Sequence, residues 1–470
     1  MYAEYALKRA MGKVVRLLGV LVVGFGLSAC DLDSILAVDL PGKVVEADLA
    51  DPRQADLLVN SAISAFECAW SMYTAAASHH SDEIMNASGN NWWRDMAWRQ
   101  HQPDEPRLSS GPCTTAYSVY APLHAARFMA NDVYNRLEEG GAAVTNLRVR
   151  QATLRAFGGY ALVGLGEAFC EMTLPIEEGV PGPLLTPRQV LEAAEARFTE
   201  ALALSPTPDI QNMALVGRAR VRLSLGDWAG VIADASQVPE NFVKNASRGD
   251  QEPRRYNQLY NAVNSRIQSA MGTISTNYRN LRLDDQGRPF EGPLTRPVLD
   301  ANAEPEGGDG VADTRVTVIN YGRFGHNETT PLWHNEKFTS RSTPVPIATG
   351  REARMFLAEA YIRTGELQQG LAILNALRAT HDLPAYTAEV TGDSMMRLLI
   401  EERRREFFVE GAHRLVDMLR FRGTEYNIPF LGEPGSIHPS GSDHVGGTYG
   451  GTTCFPLPFV ERIGNPNIGG

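Results

Sequence analysis

The chain has 470 residues, with 44 Lys+Arg against 55 Asp+Glu, a formal charge of −11, and 43% apolar residues. An acidic balance argues against a nucleic-acid partner, which needs a basic face, and against electrostatic docking on anionic lipid. The length allows two or three ordinary domains or one extended helical array.

Leu17 to Ala29 is a short apolar run that follows Lys8, Arg9, Lys13 and Arg16. It falls short of the roughly 20 residues a membrane-spanning helix needs. A basic head, a short apolar core and small residues before a cut are the layout of a secretory signal. Met11 opens a cleaner head than Met1, because Tyr2 to Ala10 contains Glu4. Leu27-Ser28-Ala29-Cys30 resembles the lipobox of bacterial lipoproteins. By that resemblance residues 1–29 are removed, Cys30 carries acyl chains, and residues 30–51 form the anchor and tether. Loss of Lys8, Arg9, Lys13, Arg16 and Glu4 takes the formal charge to −14.

Helical periodicity starts at Pro52, with Asp51 as the expected cap, and predicts a helix over 52–72. A polar, Trp-rich segment follows from Ser78 to Pro106. Leu123, Ala126, Ala130, Val133 and Leu137 recur at steps of three and four, which predicts a helix with one buried stripe. Leu154, Gly158, Ala161, Leu165 and Ala168 make a second stripe. With Gly159, Gly164 and Gly166 around it, so many small residues cost helix propensity, which close helix–helix approach would offset. Thr186 and Pro187 mark the start of another amphipathic helix over 188–204.

Residues 214–235 and 353–374 repeat one another. Ala219 aligns with Ala358, Gly226 with Gly365 and Asp227 with Glu366. A small residue in the first helix, then Gly plus an acid at the turn, resembles a tetratricopeptide repeat. Such hairpins cannot bury their apolar faces alone and must stack. The expected fold class is therefore mainly α, built of tetratricopeptide-like hairpins in a superhelix with long loops. Short strands are expected at 316–320 and 333–338, and Glu425 to Thr453 as a Gly-rich excursion. Besides Cys30, the cysteines Cys68, Cys113, Cys170 and Cys454 allow three disulfide connectivities in an oxidising compartment. The expected pairs are Cys68–Cys113 and Cys170–Cys454, with buried free thiols as the alternative.

The C-terminal third carries a family signature. Ala348 to Tyr361 is followed by Asn375 and Arg378. Then come Glu401-Glu402-Arg403-Arg404-Arg405-Glu406-Phe407, Glu410-Gly411, Arg414, Asp417 and Arg420. This order closely resembles the SusD/RagB family of outer-membrane nutrient-binding lipoproteins. Phe455 to Asn467 is similar to the family's closing motif, and Ser81-Asp82-Glu83 to its early landmark. One extra residue separates Gly411 from Arg414. The resemblance implies a SusD-like N-terminal helical region over 52–245 and a SusD/RagB C-terminal region over 246–470. It also implies a surface-exposed outer-membrane lipoprotein that caps a TonB-dependent, SusC-like β-barrel. The protein would capture oligosaccharide, alternatively peptide, and pass it on without cleavage. Within the charged motif, Glu401–Arg405, Glu410–Arg414, Glu402–Arg405, Arg414–Asp417 and Asp417–Arg420 have the spacing of pairs along one helix.

No nucleophile elbow, zinc-protease motif, P-loop or dinucleotide fingerprint occurs, so no catalytic residue, cofactor or metal is expected. His79-His80 with Asp82 and Glu83 reads as a polar loop rather than a metal site. The acids Asp300, Glu304, Glu306, Asp309 and Asp313 fit no calcium-loop spacing and read as solvated. Asn90, Asn91, Trp92, Trp93 and Trp98 lie in a polar stretch, where exposed indoles would stack on sugar rings. Tyr321, Phe324 and Trp333 are the expected partners across the site. A tetratricopeptide scaffold for envelope protein–protein contacts is the alternative, and a surface hydrolase a further one.

Overall fold

The computed structural model describes residues 51–468, apart from 106–110, 112, 114–117, 177–178, 264–269 and 292–307. The expected signal, Cys30 and its tether lie outside the described residues, as do Asp300, Glu304 and Glu306. No helix among the described residues is long and apolar enough to cross a membrane.

The Asp51 carboxylate accepts the Arg53 N–H at 2.9 Å and caps a short 3-10 turn, Pro52–Gln54, that runs into α1 (Ala55–His80). This helix outruns the expected 52–72 because every residue from Cys68 to His80 is buried. Burial on all sides erases the one-sided periodicity by which a surface helix is recognised. After β1 (Ile84–Asn86) comes the short helix α2 (Asn91–Ala97). α3 (Tyr120–Gly140) and α4 (Leu147–Ala168) pack on each other and on α1. The five stripe residues expected on α3 are all buried. The strands β2 (Met172–Thr173) and β3 (Leu184–Leu185) lead to α5 (Pro187–Ala203), α6 (Pro208–Leu225) and α7 (Trp228–Ala235). A Cβ on Gly159 of α4 would stand 2.7 Å from the Phe198 ring, and one on Gly217 of α6 only 2.4 Å. The small residues thus form a slot for one aromatic ring of α5, which is the close approach that offsets their propensity cost.

The chain then forms β4 (Val243–Ala246), β5 (Gly272–Ile274), β6 (Leu281–Leu283), β7 (Pro289–Glu291), β8 (Val311–Ala312), β9 (Val318–Phe324), β10 (Pro331–Asn335) and β11 (Val345–Thr349). The named strands among the described residues pair antiparallel, β1 with β5 and β4 with β11 over long stretches of sequence and the others over shorter ones. The expected strands at 316–320 and 333–338 become the β9–β10 hairpin, shifted by about one turn of the pleat. The second repeat follows as α8 (Gly350–Arg363) and α9 (Leu367–Ala379). Gly226 and Gly365 end the first helices of their hairpins at φ 82° and 87°, a left-handed turn that glycine adopts without strain. Asp227 then caps α7 by accepting the Gly230 N–H, whereas Glu366 makes no such bond.

The charged motif departs from the expected single helix. α10 (Gly392–Glu406) stops, Val409, Gly411 and Ala412 take positive φ, and α11 (His413–Arg420) starts afresh. The extra residue before Arg414 is absorbed in this turn. Two of the five expected same-helix pairs form, Arg405–Glu401 and Arg420–Asp417. The other groups reach across the fold. Glu402 is fully buried between Arg315 (2.7 Å) and Arg378 (2.6 Å). Glu410 binds Arg351 and Lys337, and Arg403 binds Asp417. Arg220 of α6 ties Glu167 of α4 (2.6 Å) to Glu352 of α8 and to the Gly411 carbonyl. Asp313, expected in a solvated acidic run, is buried against Arg315 and Arg405. Buried carboxylates need such partners, because an isolated buried charge is very costly.

The early landmark is the other end of this network. Asp82 receives two bonds of 2.6 Å from Arg414, and Glu83 accepts the Val409 N–H at 2.7 Å. His79 and His80 are buried, with His79 stacked on Trp93. The expected polar loop is therefore a helix end sealed inside the protein. The cysteines pair as Cys68–Cys113 and Cys170–Cys454. The latter pins the tail beside α4, where the Phe455 N–H donates to the Ala168 carbonyl and Asn465 and Asn467 donate to the carbonyls of Gly182 and Pro181.

Burial sets a pH dependence. It lowers His79 and His124 to about 3 and His101 to about 4, and holds His80 and His413 well below the ordinary histidine value. The unfolded chain takes up these protons near pH 6.5 and the folded one does not, so stability is lost as pH falls through 6.5. Glu83 and Glu352, pushed up to about 7 by burial, act in the opposite direction. Five groups outweigh two. The unfolding free energy at pH 5 is expected to lie about 5 kcal/mol below that at pH 7, and urea titrations at the two pH values check it.

Candidate functional site

Three loop systems adjoin one another around α2. The first is the stretch 87–90 before the helix. Ala87 is fully buried with Ala270 and Leu332 in a small cluster of its own. Its carbonyl accepts the Asn327 N–H, and the Gly89 N–H donates to His326 Nδ1 at 3.2 Å. The second is the β9–β10 hairpin, whose turn is tightened by the Asn327 side chain accepting from Thr329 and Thr330 N–H. A Cβ on Gly325 would fall 2.6 Å from Ala87, so the turn lies directly on the first loop. The third is the excursion 425–453. Thr330 Oγ1 and His444 Nε2 are 3.0 Å apart, which joins it to the hairpin.

The excursion has no helix, yet it is held firmly. Asp443 accepts the Trp98 indole N–H at 2.6 Å and the backbone N–H groups of Val445 and Gly447. Gly447 lies flat on the Trp98 ring, where a Cβ would stand 2.0 Å from it. Arg94 covers that ring at 5.2 Å. The Gly450 N–H donates to the Trp98 carbonyl, and Arg99 to the Leu431 carbonyl. His438 bonds Tyr449 Oη at 2.8 Å and stacks near His444.

The expected tryptophan platform is corrected by burial. Trp92 and Trp93 are 1% and 0% exposed and belong to the core, so neither offers a face to a ligand. Asn90 is the cap of α2, accepting the Trp92 N–H, which explains the polar residue beside them. Asn91 is exposed, and Trp98 is partly exposed at the excursion. Phe324 is 51% exposed on β9. Trp333 is half-buried on β10, with the Arg279 guanidinium 4.6 Å above its ring. Arg279 itself donates twice to the Ile274 carbonyl, and burial lowers it to about 9. Tyr321 lies on β9, its side chain outside the described residues.

The geometry thus brings Asn90, Asn91, Trp98 and the hairpin residues to adjoining loops and withdraws Trp92 and Trp93. It adds Arg279, His326, Asp443 and His444. These escaped the sequence because they sit in aperiodic segments joined only in three dimensions. The one available signal was the clustering of His438, His444 and Tyr449 in a Gly-rich stretch. Aromatic faces beside amide, imidazole and guanidinium donors suit a polar, ring-bearing ligand.

The sequence model of the SusD family matches residues 352–435, which hold α8 to α11 and the start of the excursion. Among curated proteins no sequence matches the chain. The fold is similar to that of a SusD superfamily protein from Bacteroides thetaiotaomicron VPI-5482. There the TM-score is 0.60 at 13% identity, with 89% of this chain and 99% of that chain covered. A SusD superfamily protein from Bacteroides vulgatus ATCC 8482 gives 0.59 at 15% identity, covering 89% and 98%. A laminarin-binding SusD-like protein gives 0.56 at 15% identity, covering 87% and 97%. The SusD family's sequence signature lies on the C-terminal helices, and over most of its length the chain has a SusD-like fold, mainly helical and built of tetratricopeptide-like hairpins.

Proposed function

We propose that this protein is an outer-membrane lipoprotein, anchored through Cys30 and exposed at the surface, that binds a nutrient oligosaccharide. The carrying observation is the face where Phe324, Trp333, Arg279, His326 and His444 adjoin the loops before and after α2. Sugar rings present flat C–H faces to aromatic side chains, and their hydroxyls bond to amide, imidazole and guanidinium groups. The resemblance to a laminarin-binding relative supports a glycan over a peptide. The bound nutrient passes to a TonB-dependent, SusC-like β-barrel without bond cleavage. A lipid tether raises the effective concentration of the two proteins, so their interface need not be tight.

Isolation of the native lipoprotein from its envelope in mild detergent tests the partnership. A large TonB-dependent barrel is expected to copurify, and Cys30→Ala should release the protein from the membrane fraction. Repeated isolation without a barrel would favour a scaffold function.

A further inference from the structure

A cavity of about 260 Å³ opens between α3, α4 and α5, built from elements that take no part in the loop face. Three guanidinium groups line it, Arg127, Arg155 and Arg197, with Leu154 and Leu174 among its apolar walls. Among the described residues Glu200 is the one carboxylate in the lining, and it is already shared. It lies 2.7 Å from Arg155 and 2.9 Å from Arg197. Arg155 is further engaged, donating to Asn131 Oδ1 at 3.0 Å and lying over the Tyr134 ring. Arg127 has no such partner. Among the described residues it forms no ion pair, and its Nε is enclosed without a hydrogen-bond acceptor. Burial disfavours its charged form, and Arg197 adds to that.

Among the described residues, three positive charges against one negative leave an excess at the cavity of a chain that is acidic overall. Enclosed guanidinium groups are costly to leave unpaired, and their planar N–H array matches oxyanions. We propose that this cavity binds an oxyanion-bearing organic ligand, a carboxylate above all, with Arg127 as its anchoring residue. The walls at Leu154 and Leu174 would take the carbon frame of the ligand, which a bare ion would leave uncovered.

Calorimetric titration of the lipid-free mature chain at low salt tests this with four probes: glucuronate, a blocked Glu-Leu dipeptide, sodium sulfate and neutral glucose. Saturable binding of glucuronate identifies a sugar acid as the source, and binding of the dipeptide an acidic protein segment. In either case Arg127→Gln should weaken binding at least tenfold, ~1.4 kcal/mol. Arg397→Gln, which alters an exposed pair with Asp393, should not. Arg197→Gln serves the same purpose if the Arg127 variant fails to fold by circular dichroism. Binding of sulfate alone, binding unchanged in the arginine variants, or no saturable binding of either organic acid overturns the proposal.

Discussion

Asp82→Asn is expected to destabilise the protein by about 3–5 kcal/mol, the cost of leaving a buried guanidinium without its carboxylate. Asp82 is 5% exposed and Arg414 is 7% exposed, and the two share a bidentate contact. Burial alone would raise the Asp82 carboxyl, but Arg414 overrides it and holds the group below its ordinary value. Asn277 donates to the same carboxylate. The contact joins the end of α1 to the start of α11 across more than 300 residues of sequence, so its loss unties the first helix from the C-terminal motif. The control is Asp393→Asn, whose partner Arg397 is largely exposed. Exposed pairs of this kind contribute about 0–1 kcal/mol. Urea unfolding of both variants measures the difference, and equal midpoints would remove the buried network from its structural role.

The second large effect belongs to the tail. Cys454→Ser, or Cys170→Ser, is expected to lower the unfolding free energy by about 5 kcal/mol in the chain-entropy account. The bond closes 284 residues of sequence, whereas Cys68–Cys113 closes 45. Loop entropy grows only logarithmically with length, so loss of the shorter bridge should cost about 4 kcal/mol. The ranking is the sharper part of the expectation. Thermal unfolding of the two single-bridge variants would contradict it if the Cys68–Cys113 bridge proved the more stabilising.

Much of the helical framework was legible because its signals are local. The stripe Leu123 to Leu137, the glycine turns at Gly226 and Gly365, and the Asp51 cap each follow from short-range geometry. The signature residues were legible as a pattern but not as a structure. Spacing along one helix suggested Glu410–Arg414, while Arg414 in fact crosses to Asp82 and Glu410 to Arg351. Spacing records which groups could meet along a helix. It carries nothing about the turn at 407–412 that ends α10 and re-aims the chain. The tryptophan segment misled for a related reason. Asn90 is polar because it caps α2, so its polarity marks the helix start and not exposure of Trp92 and Trp93. The loop face was the least legible part, since Arg279, His326, Asp443 and His444 come together only through tertiary contacts.

The most direct test of the nutrient-binding account is titration of a glycan panel that includes laminarin into the wild-type chain and the Phe324→Ala/Trp333→Ala variant. Chromatography then sizes each glycan afterwards. The account predicts saturable binding of at least one glycan, a loss of at least tenfold in the double variant, ~1.4 kcal/mol, and glycan recovered at its starting length. Affinity unchanged by removal of both rings, or recovery of shortened chains, would contradict it.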